Sequence, residues 1–242
     1  MASTLLGTRP PRLPVQRLVQ AGAMFGIAEG TVRTALSRMV AAGEVEAEDG
    51  WYRLVGRLLE RQQRLDEGLA GARRDWDGTW ELAVVVADRR PAAERAELRA
   101  AAQALHLAEL REGVWGRPAN LGPARLAPEQ RTIDAQCLRF ARALPSTGVD
   151  AARFWDLEAW SARARHLEPA LAEVTAELEI GDADAMAGGF VLSAAVLRHL
   201  AADPLLPDEL LPLGWPGPSL REHFADYWAA YQAVFYDWLR SA

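Results

Sequence analysis

Residues 24–40 read MFGIAEGTVRTALSRMV, and this stretch combines a turn with a helix. Gly26 can adopt the positive φ that a tight turn between two helices needs, and we expect Ile27 after it to point into the core. From Ala28 onward, apolar residues recur at the spacing of one helix face: Val32, Ala35, Leu36, Met39 and Val40. The stretch therefore predicts the turn and the second helix of a helix-turn-helix.

The opposite face of this predicted helix is polar and carries two arginines. Its members are Thr31, Arg33, Thr34, Ser37 and Arg38. Short hydroxyl side chains fit beside base edges, and guanidinium groups reach phosphate oxygens or guanine. A recognition helix that binds DNA needs this composition, but an ordinary amphipathic surface helix can have it too. The sequence on either side of the helix is needed to decide between these two interpretations.

The residues on both sides of the helix favour DNA binding. Gly43 stands where a glycine ends a helix, and two alternating apolar and polar runs follow around Asp49-Gly50, which suits a type I′ hairpin turn. Helix, helix and hairpin is the order of a winged helix-turn-helix, which we expect over residues 1–55. Upstream of the turn, residues 13–25 predict the supporting helix, with these positions buried: Val15, Leu18, Val19 and Met24.

Charge is distributed unevenly along the chain. The net charge of the 242 residues is −6, but residues 1–65 hold nine arginines against six acidic residues, a net of +3, so the remainder carries −9. The predicted DNA-binding end is thus the positive end, as contact with phosphates requires. The hairpin is an exception to this positive charge, because it carries four acidic residues: Glu44, Glu46, Glu48 and Asp49. Acidic side chains repel phosphates, so we expect the helix to make the main contacts.

Composition also limits the class of protein. No apolar run approaches the roughly 20 residues of a membrane span, and the first residues lack the apolar core of a signal peptide. Cys137 is the single cysteine, which excludes an internal disulfide framework. We therefore expect a soluble, cytoplasmic protein that does not bind a membrane.

Beyond the hairpin, the sequence predicts a linker helix and a mixed central domain. Leucines at helical spacing from Leu54 to Leu69 predict the helix, within a linker over residues 56–74. Strands alternating with a helix predict a ferredoxin-like α+β domain over residues 75–149. Its expected elements are strands at 81–87, 107–114 and 137–144, and a helix from Pro91 to about His106.

The last part of the chain, residues 150–242, is helical in pattern and rich in aromatic residues. The expected fold class is therefore α+β and multidomain. It consists of an N-terminal winged helix-turn-helix, a central ferredoxin-like α+β domain and a C-terminal helical domain.

Five motifs are spread over most of the chain: residues 25–39 (FGIAEGTVRTALSRM), 76–80 (WDGTW), 113–121 (GVWGRPANL), 155–157 (WDL) and 203–217 (DPLLPDELLPLGWPG). With these motifs the chain resembles the PaaX family of bacterial transcriptional repressors. The resemblance implies a homodimer that binds double-stranded operator DNA and is released by a small-molecule effector. In the best-known members, which control phenylacetate catabolism, that effector is phenylacetyl-CoA.

The resemblance also suggests roles for individual residues. Arg33 and Arg38 would contact phosphate or guanine, and the hydroxyls of Thr31, Thr34 and Ser37 would fit the remaining base edges. For an aryl-acyl-CoA effector, the candidates are two aromatic residues, Trp155 and Trp215, and three arginines that could neutralise phosphates, Arg117, Arg139 and Arg221. A core or a dimer face is the alternative role of the C-terminal aromatics, which also include Trp160, Phe224, Tyr227, Trp228, Tyr231, Phe235, Tyr236 and Trp238.

An enzyme remains the alternative class. The four histidines are scattered, no thiolate site can form from one cysteine, and the nucleotide-binding and hydrolase motifs are absent, so we expect no cofactor, no metal and no catalytic residues. Asp88, at the end of the first central strand, is the position where a nuclease-like fold could place a metal-binding carboxylate. A metal-dependent nuclease built on the central domain is therefore the second hypothesis, and a winged helix that only contacts proteins is the third.

Overall fold

In the computed structural model, the residues described are 2–71, 73–122, 127–182 and 185–241. Contacts divide the chain into two compact units. The first comprises residues 1–66, 171–195 and 225–242, and the second comprises residues 67–170 and 196–224. Each unit therefore joins segments that are far apart in sequence. The four domain ranges expected from the sequence stay a prediction.

The N-terminal part of the first unit combines short helices with a small sheet. In chain order it contains α1 (Ala2–Leu6), β1 (Arg12–Pro14), α2 (Val15–Met24), α3 (Glu29–Ala41), β2 (Val45–Glu48) and β3 (Trp51–Leu54). The three strands form an antiparallel sheet in the order β1-β3-β2. Asp49 and Gly50 connect β2 to β3 with φ values of 47° and 78°, the two positive angles of a type I′ turn.

Two helix ends in this part have the same hydrogen-bond pattern. At the end of α2 the Ile27 N–H donates to the Gly22 carbonyl and the Gly26 N–H to that of Ala23, with Gly26 at φ 67°. At the end of α3, Gly43 and Glu44 repeat these bonds, with Gly43 at φ 66°. Both ends are Schellman motifs, in which a glycine with positive φ lets the chain leave the helix.

Two expected core positions are exposed, so these predictions were wrong. Ile27 is 37% exposed. In a Schellman motif its apolar partner would be the residue at position Gly22, which has no side chain. Val40 is 40% exposed, while Val32 and Leu36 in the same stripe are buried. The ten-residue α2 is shorter than the thirteen-residue α3, which leaves less apolar surface to cover the last turn of α3.

The supporting helix begins later than expected. Leu13 lies in β1, opposite Tyr52 of β3, and Pro14 stands at the N-cap of α2, where its fixed φ and missing N–H are tolerated. Leu18 is buried, as expected, together with Ala21 and Gly22. The other three expected core positions, Val15, Val19 and Met24, are only partly buried.

The helix expected from Leu54 to Leu69 is α4 (Gly56–Ala70), close to its expected bounds. Leu58 and Leu65 on it are buried, and between them lies a buried polar side chain, Gln62. The Gln62 amide donates to the carbonyls of Leu6 and Thr8 at 2.9 and 3.1 Å. It thereby satisfies carbonyls at the end of α1 that have no partner within that helix.

A four-stranded antiparallel sheet with two helices forms much of the second unit. Its elements are β4 (Trp80–Val85), α5 (Ala92–Ala104), β5 (Ala108–Arg111), β6 (Val114–Pro118), α6 (Ala127–Gln136) and β7 (Cys137–Ala143). The strand order is β5-β6-β4-β7. One apolar cluster includes residues from both helices and three strands: Ala83, Leu98, Ala101, Ala102, Trp115, Ile133 and Cys137.

The expected strand over residues 107–114 was wrong as a single element. Gly113, with φ 74°, turns the chain there, so that β5 ends at Arg111 and β6 begins at Val114. Neither β6 nor α6 was expected from the sequence. The apolar and polar residues of α6 follow a weak helical pattern, in which Ile133 and Gln136 are buried.

The remaining chain is helical, as expected for residues 150–242. It contains α7 (Leu157–Glu179), α8 (Ala185–Ala201) and α9 (Gly217–Ser241), with short 3₁₀ turns at Ala151–Arg153 and Asp208–Leu210. The fold is therefore of mixed α and β class. None of the helices in the described part of the chain is long and apolar enough to cross a membrane.

Candidate nucleic-acid interface

The polar face of α3 is exposed. Its five residues are all accessible to solvent: Thr31, Arg33, Thr34, Ser37 and Arg38. The buried residues Val32 and Leu36 hold the opposite side of the helix against the rest of the unit. A surface of this composition is accessible to a binding partner.

The hydroxyl groups on this face are oriented by the helix itself. The Thr34 hydroxyl donates to the Gly30 carbonyl at 2.8 Å, and the Ser37 hydroxyl donates to the Arg33 carbonyl at 3.0 Å. Because the proton of each hydroxyl is used within α3, its oxygen faces solvent as an acceptor. These side chains are thus fixed acceptors that can receive a hydrogen bond from a partner.

The two arginines differ in their surroundings. The Arg33 Nε lies 2.7 Å from Glu29 Oε1, one helical turn earlier, and both side chains are more than half exposed. Arg38 forms no ion pair with any residue in the described ranges. One guanidinium is therefore held by its own helix, and the other is a mobile charge on a long side chain.

Arginines neutralise part of the acidic hairpin. Glu46 of β2 pairs with Arg53, the residue directly opposite on β3, and Glu44 accepts from Arg57 of α4 at 2.9 Å. Sequence reasoning missed both pairs, although a hairpin centred on Asp49-Gly50 places residues 46 and 53 opposite each other. The Arg12 guanidinium lies 4.5 Å from the Trp51 ring centroid on the same sheet. The hairpin thus repels phosphates less than its four acidic residues alone suggest.

A second group of polar residues surrounds the loop 203–208 in the second unit. Arg117 of β6 donates through Nη2 to the Leu205 carbonyl at 3.2 Å and to Asn120 Oδ1 at 2.9 Å. The Asn120 amide donates to the same Leu205 carbonyl at 2.9 Å. Leu205 is buried with a φ of 51°, a strained value for a leucine, and these two donors help to hold it there.

Two further arginines hold the same loop. Arg221 of α9 donates through Nη2 to Asp203 Oδ2 at 2.6 Å and through Nε to the Gly68 carbonyl at 2.7 Å. Arg73 donates to the Leu206 carbonyl and to Asp208 at 2.7 and 2.6 Å. The expected ligand residues Arg117 and Arg221 therefore both contact this loop, whereas Arg139 pairs with Asp134 elsewhere in the unit.

Burial changes the protonation behaviour around Arg117. Its guanidinium is almost fully buried, and burial lowers its pKa to about 10, which leaves it charged at neutral pH. Among the residues that the structure describes, its Nη1 atom has no hydrogen-bond partner. Burial, reinforced by the charge of Arg117, lowers the pKa of nearby His106 to about 4, so this imidazole is neutral.

The two expected aromatic residues pack beside this loop. Trp155 and Trp215 both contact an apolar cluster that contains Leu206. Trp215 stacks on Trp160 with ring centroids 4.4 Å apart, and Trp160 stacks on His199 at 4.3 Å. The fold thus brings four of the five candidate ligand residues, all except Arg139, around loop 203–208, together with Asn120, Asp203 and Arg73, which sequence reasoning missed. The side chains of Tyr236 and Trp238 lie outside the described residues.

The enzyme hypothesis depended on Asp88 as a metal-binding carboxylate. Asp88 is exposed in the loop after β4. Within the described ranges, no group of three histidine, cysteine or acidic side chains is placed to hold a metal ion.

The fold and this site define a protein of mixed α and β class in which a glycine turn joins α2 to α3, and α3 exposes a basic, hydroxyl-rich face. Comparison with known families gives the particular family. Residues 1–58 match the PaaX-like protein family and residues 155–240 match the PaaX-like protein C-terminal domain. The chain therefore belongs to the PaaX-like family.

Among solved structures, the chain is similar to the uncharacterized protein Rv0674 from Mycobacterium tuberculosis. The two are 37% identical, the match covers 98% of this chain and 96% of that protein, and the TM-score is 0.74. A search of curated proteins found none that matches. The expected family is thus confirmed by the matches at residues 1–58 and 155–240.

Proposed function

We propose that this chain is a sequence-specific, DNA-binding regulator of transcription that acts as a repressor and is released by a small-molecule effector. The observation that carries the proposal is the exposed face of α3, which follows a glycine turn after α2. Both helices pack with a three-stranded sheet that ends in a type I′ hairpin. A winged helix-turn-helix has these parts, and its second helix enters the major groove.

The central sheet supports a ferredoxin-like assignment. In chain order its elements run strand, helix, strand, strand, helix, strand, and its antiparallel order β5-β6-β4-β7 places the first strand beside the third and the fourth. In our proposal, this unit and the C-terminal helices serve dimerisation and effector binding. The homodimer presents two copies of α3 to two half-sites of an operator.

For the effector we propose an aryl-acyl-CoA thioester such as phenylacetyl-CoA. Trp155 and Trp215 offer apolar surface to an aryl group, and one guanidinium nitrogen of Arg117 has no partner within the described ranges. Arg221 already neutralises Asp203, so an anion that bound Arg221 would compete with that carboxylate. The effector acts as a releaser only if it binds the DNA-free state more tightly.

The test is selection of bound duplexes from a random pool with the purified protein, followed by titration of the selected sequence. Arg33→Ala is expected to lose about 1–3 kcal/mol of binding to that sequence. Addition of phenylacetyl-CoA is expected to release the DNA, and acetyl-CoA serves as the control without an aryl group. If the protein binds no duplex even at low salt, the proposal is wrong.

A further inference from the structure

The Glu29–Arg33 pair leaves two sets of atoms available at the start of α3. Arg33 uses its Nε for Glu29 Oε1, and within the described part of the chain its Nη1 and Nη2 have no hydrogen-bond partner. Glu29 Oε2 likewise accepts no bond there. Glu29 thus holds the guanidinium group at Nε, so that the two terminal nitrogens, Nη1 and Nη2, remain available as a pair of donors.

Each set of free atoms matches the major-groove edge of a different base. Two guanidinium nitrogens can donate together to O6 and N7 of guanine, and a carboxylate oxygen can accept from N4 of cytosine. The first turn of a recognition helix is the part that contacts base edges. Because the pair is already formed without DNA, less side-chain freedom is lost on binding.

We infer that Glu29 is a specificity-determining residue, which reads a cytosine adjacent to the guanine that Arg33 reads in each half-site. The inference rests on the proposed DNA binding. Arg38, with no ion pair in the described ranges, then serves as a phosphate contact without base preference.

A purely structural role of Glu29 predicts a different result. Glu29 lies in the first turn of α3, where a negative charge stabilises the helix dipole, and its pairing with Arg33 adds a little more. In that case, removal of the charge would also reduce repulsion by the phosphates. Binding of Glu29→Gln to all sequences would then rise or fall by the same factor, with no change in the preferred bases.

The experiment compares selected sequences for the full-length wild type, Glu29→Gln and Glu29→Ala. Wild type is expected to prefer cytosine at one position per half-site by about 5- to 150-fold, the range of one good base contact. In Glu29→Gln this preference is expected to move toward adenine, which a glutamine side chain can contact. In Glu29→Ala it is expected to disappear while the neighbouring guanine preference stays.

Asp134→Asn is the matched control, because it removes a carboxylate from another exposed arginine pair in the second unit. It should leave the selected sequence unchanged, and thermal melting of all variants checks that they are folded. Unchanged base preferences in both Glu29 variants would overturn the inference while leaving DNA binding intact. Failure of the wild type to select any sequence would instead contradict the proposed function.

Discussion

At the scale of single residues, Gly30 shows how stability and binding can be separated. Apart from its chain neighbours and the backbone of its own helix, a Cβ added at Gly30 would meet no atom of the described residues within 4 Å. Its backbone is helical, so Gly30→Ala should stabilise α3 by up to about 1 kcal/mol. If α3 lies in the major groove, the added methyl group crowds the DNA. Overpacking of this kind costs about 1–3 kcal/mol, which corresponds to binding that is weaker by about 5- to 150-fold. Thermal melting and a titration with the selected operator measure the two effects.

Gly188→Ala is the matched control for that prediction. Gly188 is also an exposed helical glycine with open space around it, so it should gain similar stability without any loss of DNA affinity. A Gly30→Ala variant that becomes more stable and binds equally well would show that this turn of α3 stays away from the DNA.

His106 should make the stability of the protein depend on pH. Its pKa is about 4 in the folded protein, mainly because of burial, against 6.5 in the unfolded chain. Between these two pH values the unfolded chain binds a proton that the folded protein does not. The contribution of His106 to the free energy of unfolding is therefore complete above pH 6.5 and is lost as the pH falls toward 4. The loss is on the order of 3 kcal/mol at the acid end.

The variant that checks this is His106→Asn, because asparagine tolerates the positive φ of 58° at this position. Urea unfolding at pH 7.5 and pH 5 should give a smaller difference in free energy for the variant than for wild type. An equal difference in both proteins would assign the acid sensitivity to other groups.

At the scale of elements, the contact between Phe25 and Phe190 links the turn after α2 to α8. Their ring centroids are 5.3 Å apart, and Phe25 is the C-cap of α2. Phe190→Ala removes an aromatic pair worth about 0.5–1.5 kcal/mol, so we expect looser positioning of α3 and DNA affinity that is lower by about 2- to 10-fold. The neighbouring Val191→Ala, at a position 70% exposed, should bind DNA like wild type in the same titration.

Elements with strong local features were predictable from the sequence. Gly26, Gly43 and the Asp49-Gly50 pair each need a positive φ, and the chain turns at each of them. The strand β6 and the helix α6 were missed, because a turn at Gly113 divides the expected strand into β5 and β6 and because α6 has a weak apolar stripe. Local pattern determines such elements poorly, and their pairing with β4 and packing on α5 do not appear in their own sequence.

In the candidate sites, too, some features were predictable from the sequence and others were not. The exposed face of α3 follows from helical periodicity alone, which is why all five residues could be chosen from the sequence. The surroundings of Arg117 could not, since Leu205 reaches it through the tertiary fold from 88 positions away. The ion pair of Arg221 with Asp203 likewise depends on the placement of a loop against α9.

At the scale of the whole molecule, the proposed homodimer makes a prediction about the spacing of its half-sites. Two copies of α3 held by a two-fold axis reach the same side of the duplex only when the half-sites are separated by about one helical turn, or a multiple of it. Insertion of 5 base pairs between the selected half-sites turns one of them to the opposite side. Affinity should then fall to that of a single half-site, and insertion of 10 base pairs should recover part of it.

Gel-shift titration of the three duplexes measures this phase dependence, and the molecular mass of the protein and of its complex gives the number of chains bound. A monomer that binds one site loses nothing with either insertion. A dimer with independent, mobile DNA-binding parts loses equally little at 5 and 10 base pairs, because its helices can follow the half-sites around the duplex. A larger loss at 5 than at 10 base pairs therefore requires a dimer that holds its two recognition helices at a fixed separation, which is the geometry that an effector would have to change in order to release the operator.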